Sequence, residues 1–253
     1  MPLVSTEAIV LHVFDYLESS RVLRLATRDA GVRSAIAKGA RRSPRRFSGG
    51  LDLFSRGIAQ LYTKPGRDLD TLAGFDDLRS TVGLAADLGR FIGASAIAEL
   101  TLRFSREASA DSALYDAVAG ALETIAAAGP DETRAAVLAG AWRIVAEMGF
   151  APSLDECADC HAPLPREDVV MFSHPAGGAL CARCSRLARG RVLPAGARGA
   201  VRAWLAGESA LLADAAEARA HQRLLREFLG EHLVDGRPLR AFDVWAHDLW
   251  GSV

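Results

Sequence analysis

Two pairs of thiols are the residues best placed for chemistry. Cys157-Ala158-Asp159-Cys160 and Cys181-Ala182-Arg183-Cys184 form two CxxC knuckles twenty residues apart, and they hold all four cysteines of the chain. Each CxxC turns two sulfurs toward one point, and two such pairs complete the tetrahedral shell that zinc accepts with no open position. A closed sulfur shell leaves no metal-bound water to activate, so the spacing predicts one structural zinc and not a catalytic one. His161 and His174 stand near enough to substitute as ligands, but four thiolates already suffice. A redox CxxC would need only one pair, in a βαβ setting that the flanking residues do not supply.

The second constellation is cationic. Arg21, Arg24, Arg28, Arg33, Lys38, Arg41, Arg42, Arg45 and Arg46 fall in one segment against a single acid, Asp29. Gly39 and Pro44 disfavour regular structure from Lys38 to Phe47, which places that stretch on an exposed loop. Guanidinium groups on such a loop offer bidentate donors to phosphates, and binding releases condensed counterions. Arg33, Lys38, Arg41, Arg42, Arg45 and Arg46 are the expected DNA contacts, with Phe47 beside them as the residue expected to stack on a base. Phe54 and Tyr62 are expected in the core. The bland alternative is a solvated charge run with no ligand. Arg183, Arg186, Arg189 and Arg191 form a weaker basic stretch, which either extends a DNA path or is simply solvated.

These side chains need elements to hold them. Ala8 to Phe14, Arg21 to Thr27 and Val32 to Ala37 have strand character, with hairpin residues at Asp29-Ala30-Gly31. Five short strands within roughly seventy residues suit a small barrel of OB type, a fold that holds single strands by a cationic groove and aromatic platforms. Asp76-Asp77 are expected at a helix start, followed by an apolar stripe through Leu78, Val82, Leu84, Leu88, Phe91, Ile92, Ile97, Leu100 and Leu102. Asp111 to Ala128 and a segment opening at Pro130-Asp131-Glu132 and ending at Gly149 predict further helices. Val169 to Phe172 predicts a strand and Pro175 to Gly178 a turn, so a hairpin can carry the second knuckle to the first. Ala197 to Ala206, Ala215 to Leu233 and Arg240 to Leu249 predict three last helices. The expected class is therefore α+β multidomain: an OB-fold barrel at 1–76, a helical body at 77–150 and 196–253, and a zinc-binding module at 151–195 inserted into that body.

The chain has 253 residues, half of them apolar, and a net charge of −1. That is enough to bury a core, and it leaves the local cation cluster as the sign of a polyanionic partner. The opening residues lack a cationic flank followed by an apolar run, and no window approaches the length of a membrane span, so we expect an unexported protein with no membrane partner. GxxxxGK[ST], HExxH and GxSxG are all missing from the sequence, which argues against an enzyme. A sequence-specific regulator would need a recognition helix presenting Arg, Asn or Gln, and no helix stands out as one.

Several separated segments, in order, resemble the RecO family. Glu7-Ala8-Ile9-Val10-Leu11 and Tyr16-Leu17-Glu18-Ser19-Ser20 are similar to its opening strand and turn, and Lys38-Gly39-Ala40-Arg41-Arg42 to its KGxR-type signature. Leu51 through Phe54 resembles the apolar step that follows. Met148-Gly149-Phe150-Ala151-Pro152 resembles its approach to the first cysteine, and Phe172-Ser173 with Gly177-Gly178-Ala179-Leu180-Cys181 its approach to the second pair. Glu231-His232-Leu233 and Pro238-Leu239 are similar to its closing helices. Arg42-Ser43-Pro44-Arg45-Arg46 departs from it in being unusually rich in arginine. The resemblance implies binding of single- and double-stranded DNA and annealing of complementary strands without ATP. It further implies work with RecR, and with RecF in some organisms, in loading RecA on strands coated by SSB, whose C-terminal tail is a contact. The setting implied is the bacterial cytoplasm, at the nucleoid. The alternative is a zinc-containing adaptor that binds an acidic protein partner.

Overall fold

The computed structural model describes residues 2–41, 47–48, 51–63, 66, 68–79, 82–105, 109–233 and 237–247. Six strands, β1 (Leu3–Tyr16), β2 (Ser20–Thr27), β3 (Gly31–Ala37), β4 (Phe47–Ser48), β5 (Arg56–Tyr62) and β6 (Leu69–Arg79), form one sheet. Its order is β3-β2-β1-β5-β6, with β4 on β6, and β3 pairs with β6 in parallel, so five strands close on themselves. This is a small Greek-key barrel of OB type. Its interior is filled by Ala8, Val10, Leu23, Leu25, Ala35, Ala37, Ala59, Leu61, Leu72 and Phe75. The first three strands and the β2–β3 hairpin lie where alternation and turn chemistry predict them, and β1 is longer at both ends.

One irregularity in β1 decides what the barrel shows to solvent. The β1–β2 register slips between Val10 and His12, leaving Leu11 as an extra residue. The Val10 N–H donates to Ser55 O at 2.9 Å and the Phe54 N–H to Val10 O at 2.7 Å, which ties the chain at the bulge. Before it, Ala8 and Val10 point into the barrel; after it, Val13 does. His12, Phe14 and Tyr16 share parity with Ala8 and Val10, yet the bulge turns all three outward.

Asp76 and Asp77 correct the expected helix start. They belong to β6, where Asp76 pairs with Ile58 and Asp77 with Gly57, and the strand continues through an exposed Leu78 to Arg79. Leu72 and Phe75 both face the barrel core across the register shift opposite Gln60 and Leu61, so pairing with β5 prevails over the acidic pair as a start signal. The helices begin later: α1 (Val82–Ala85), then α2 (Leu88–Phe104), capped by Asp87, whose side chain accepts from the Arg90 N–H at 2.9 Å. After them come α3 (Ser112–Ala127), α4 (Thr133–Glu147), α5 (Ala195–Leu205), α6 (Ala215–His232) and α7 (Arg240–Ala246). Asp111 and Asp214 cap α3 and α6.

One apolar cluster joins these helices. Trp142 of α4, Trp204 of α5, Phe228 of α6 and Phe242 and Trp245 of α7 are all buried in it, with the Trp142 and Phe228 ring centroids 5.2 Å apart. Gly93 lets α2 pass close to α4, because a Cβ there would lie 2.4 Å from a Val137 methyl. The Glu99 carboxylate of α2 accepts from the N–H groups of Arg240 and Phe242 at 2.9 and 3.0 Å, capping α7 from a distant helix. Barrel and body meet at Arg28, whose guanidinium pairs with Asp116 of α3, and at Arg56, which binds Glu7 at 3.0 Å and Glu123 at 2.8 Å. Tyr115 sits between them, its hydroxyl donating to Glu7 at 3.2 Å. Burial, against the pull of Arg56 and with the help of Glu7, pushes its phenol up to about 12.

Candidate metal centre and nucleic-acid face

The segment between α4 and α5 builds a three-stranded sheet, β8 (Gly178–Leu180), β7 (Val170–Ser173) and β9 (Arg191–Leu193), in the order β8-β7-β9. The β7–β8 hairpin turns at Gly177, at φ +76, and carries the second knuckle to the first. Gly178 allows the contact: a Cβ there would lie 2.3 Å from Ser153 O. Across this approach Ser153 N donates to Gly177 O, and Ala158 N to Ala179 O at 2.8 Å.

The sulfurs of Cys157, Cys160, Cys181 and Cys184 consequently all lie within 4.8 Å of one another. Cys160 and Cys181 have their Sγ atoms 3.8 Å apart, and a tetrahedron with metal–sulfur bonds of 2.3 Å has edges of about 3.8 Å. None of the four is in a disulfide. Burial acts to raise the Cys157 thiol, but N–H donors from Cys181, Cys160 and Asp159 outweigh it and hold it down at about 6. The backbone N–H of Cys184 leads in lowering Cys181. Cys184 is pushed up, first by Asp159 and then by desolvation and its sulfur neighbours. Crowded thiols of this kind lose their protons together only around a cation, so the donor set fits a metal ion.

The module is held to the body by a side chain the sequence did not mark. Arg198 of α5 is 0% exposed and, among the described residues, makes no carboxylate pair. Its guanidinium donates to Leu154 O, Leu164 O, Pro165 O and Asp168 O, at 2.9, 3.1, 2.8 and 3.3 Å. Those carbonyls lie on either side of the first knuckle. His174 is not at the thiol cluster: it packs on Phe172 and its Nε2 lies 3.1 Å from Glu227 of α6. Burial leads in lowering its pKa.

The expected DNA contacts divide. Lys38 is exposed, and Arg41 is half-exposed with Asp15 3.8 Å from its guanidinium. Arg42, Arg45 and Arg46 lie outside the described residues. Arg33 is tied to the barrel, its Nη2 2.6 Å from a buried Asp70 oxygen. Phe47 corrects the expectation of a stacking ring: it is 2% exposed, in β4 against β6, with its side chain in the barrel core. Proximity to charge in sequence says nothing of which way a ring points, and an isolated aromatic gains more from burial than from exposure. Phe54 is buried as expected, whereas Tyr62 is exposed. Arg191 of the second basic stretch is paired with Glu227. His12, Phe14 and Tyr16, which no periodicity singled out, are exposed in a row along β1.

A closed OB-type barrel, a helical body and a four-thiol centre clasped between α4 and α5 define the class of this protein. Comparison with known proteins narrows it. Residues 1–80 match the family described as Recombination protein O N terminal, and residues 85–241 match Recombination protein O C terminal. DNA repair protein RecO of Anaeromyxobacter sp. (strain K) is 36% identical over 248 residues, covering 95% of each chain. DNA repair protein RecO of Rubrobacter xylanophilus is 32% identical over 240 residues, 94% of each chain. The chain belongs to the RecO family of DNA repair proteins. Among the described residues no helix is long and apolar enough to cross a membrane.

Proposed function

We propose that this chain is a non-enzymatic mediator of recombinational repair that binds single- and double-stranded DNA and anneals complementary strands without ATP. It acts in the bacterial cytoplasm, at the nucleoid. With RecR, and RecF in some organisms, it helps load RecA on single strands coated by SSB, which recruits it through the acidic SSB tail. The barrel, reading as the unit at 1–76, takes the DNA; the helical body at 77–150 and 196–253 takes protein partners; the module at 151–195 holds one structural zinc on Cys157, Cys160, Cys181 and Cys184. The observation that carries this reading is the cationic sequence from Lys38 to Arg46 in a chain of the RecO family whose described residues close an OB-type barrel. Such a surface relieves repulsion between two polyanions while leaving their bases free to search for partners.

The test is fluorescence-monitored annealing of complementary oligonucleotides, bare and coated with cognate SSB, with no nucleotide added and tail-deleted SSB for comparison. Acceleration on bare strands, and on coated strands only when the tail is present, is expected. A requirement for ATP, or no acceleration on either substrate, overturns the reading. The internal pairing of Arg28 and Arg33 with Asp116 and Asp70 favours a second reading, a zinc-containing adaptor that joins proteins without annealing DNA.

A further inference from the structure

We propose that His12, Phe14 and Tyr16 form a base-stacking ladder on the outer face of β1, which makes the barrel prefer single-stranded to duplex DNA. The inference rests on the DNA-binding reading above and adds to it the groups that touch bases. Phosphate contacts cannot tell one strand from two by themselves, whereas a π-face can stack only on a base that is free of its partner.

The ladder is built by the bulge at Leu11, which takes three rings that strand parity would bury and turns them to solvent. Phe14 is 44% exposed and Tyr16 46%, and the centroids of His12 and Phe14 lie 5.7 Å apart. Residues two apart on a strand share a face at a spacing of about 7 Å, so Tyr16 continues the row. On the neighbouring strand His12 lies opposite Arg24, and Phe14 opposite a buried Val22 that backs its ring. Exposing three polarisable rings to water gains nothing for the fold, since none of them belongs to the barrel core.

Charge beside the row selects the occupant. The Arg41 N–H donates to Ser19 O at 3.1 Å, which fixes Arg41 against the hairpin tip that carries Tyr16. Lys38 is exposed nearby at the end of β3. Asp15, the acid between the last two rings, is held by Arg21 at 3.3 Å. Rings flanked by cations suit a strand whose backbone passes Lys38 and Arg41 while its bases lie on β1.

Anisotropy titrations of oligo-dT and of a hairpin duplex with the full chain test this. F14A/Y16A should weaken oligo-dT binding by about five- to 150-fold per ring, with duplex affinity and the salt slope unchanged. Phe14→Tyr and Tyr16→Phe, which keep the π-faces, should bind as the parent does and guard against a disturbed fold. F14A/Y16A binding oligo-dT like the parent, or losing both substrates equally while the conservative pair loses neither, overturns the ladder alone. A parent protein that binds neither substrate overturns the DNA reading and the ladder with it.

Discussion

Arg198 donates from Nε to the carbonyl oxygen of Leu154 at 2.9 Å, and that single bond begins a clamp between α5 and the metal module. Three further carbonyls share the guanidinium. Lysine has neither the plane nor the donors to replace it. Arg198→Met, close in length and apolar, should cost about 3–5 kcal/mol, because buried carbonyls then lose their donors. Denaturant unfolding measures this, and a loss below about 1 kcal/mol would show that the carbonyls find other partners.

Removal of the metal tests the same module from the other side. Freshly purified protein should contain about one equivalent of zinc, and Cys157→Ser should lower that content and drop the thermal midpoint by roughly 10 °C. Metal analysis beside calorimetry gives both numbers. Metal-free protein of undiminished stability is the contrary outcome.

Tyr115 predicts an alkaline transition. Its folded pKa is raised, to about 12, against about 10 in an unfolded chain. The folded state therefore keeps a proton that the unfolded state gives up, so the stability this group contributes is full below pH 10 and is lost as pH rises toward 12. Tyr115→Phe should flatten the stability profile in that window, which denaturant midpoints across the range would reveal. A profile as steep as the parent's would assign the loss elsewhere.

Arg33 and Arg41 should separate structure from binding. Arg33 is 17% exposed and Asp70 1%, and their pair spans the parallel seam of β3 and β6 that closes the barrel. Arg33→Met leaves a carboxylate buried alone and should cost about 3–5 kcal/mol. Arg41→Glu should leave the unfolding midpoint nearly unchanged and weaken binding to every DNA sequence with a shallower salt slope. Equal effects of the two substitutions on stability would refute the distinction.

What the sequence discloses follows the range of each interaction. Cys157 to Cys184 are legible because CxxC spacing is local and its chemistry has few readings. Helices α3 to α6 are legible from their three- and four-residue apolar spacing and, for α4, from the Pro130-Asp131-Glu132 start; the Asp214 cap of α6 is not among those signals. Asp76-Asp77 misleads because an acidic pair ahead of an apolar stripe is a sound helix signal that the long pairing of β6 with β5 overrides. Arg33 looks like its cationic neighbours until β6 brings Asp70 to it from 37 residues away. The slip at Leu11, on which the exposure of Phe14 and Tyr16 depends, is fixed by Phe54 and Ser55, residues that no local pattern connects to β1.

The cap that Glu99 places on α7 has a consequence for how the chain is born. Glu99 and Phe242 are 143 positions apart, so at ribosomal speed roughly 7–30 s separate the appearance of the two partners. The barrel strands end at Arg79 and can close while translation continues. The helical face that awaits Trp204, Phe228 and Trp245 stays wet and adhesive until nearly the whole chain has emerged. A nascent chain stalled before α5 should therefore recruit chaperones through residues 88–147, even with its barrel already folded.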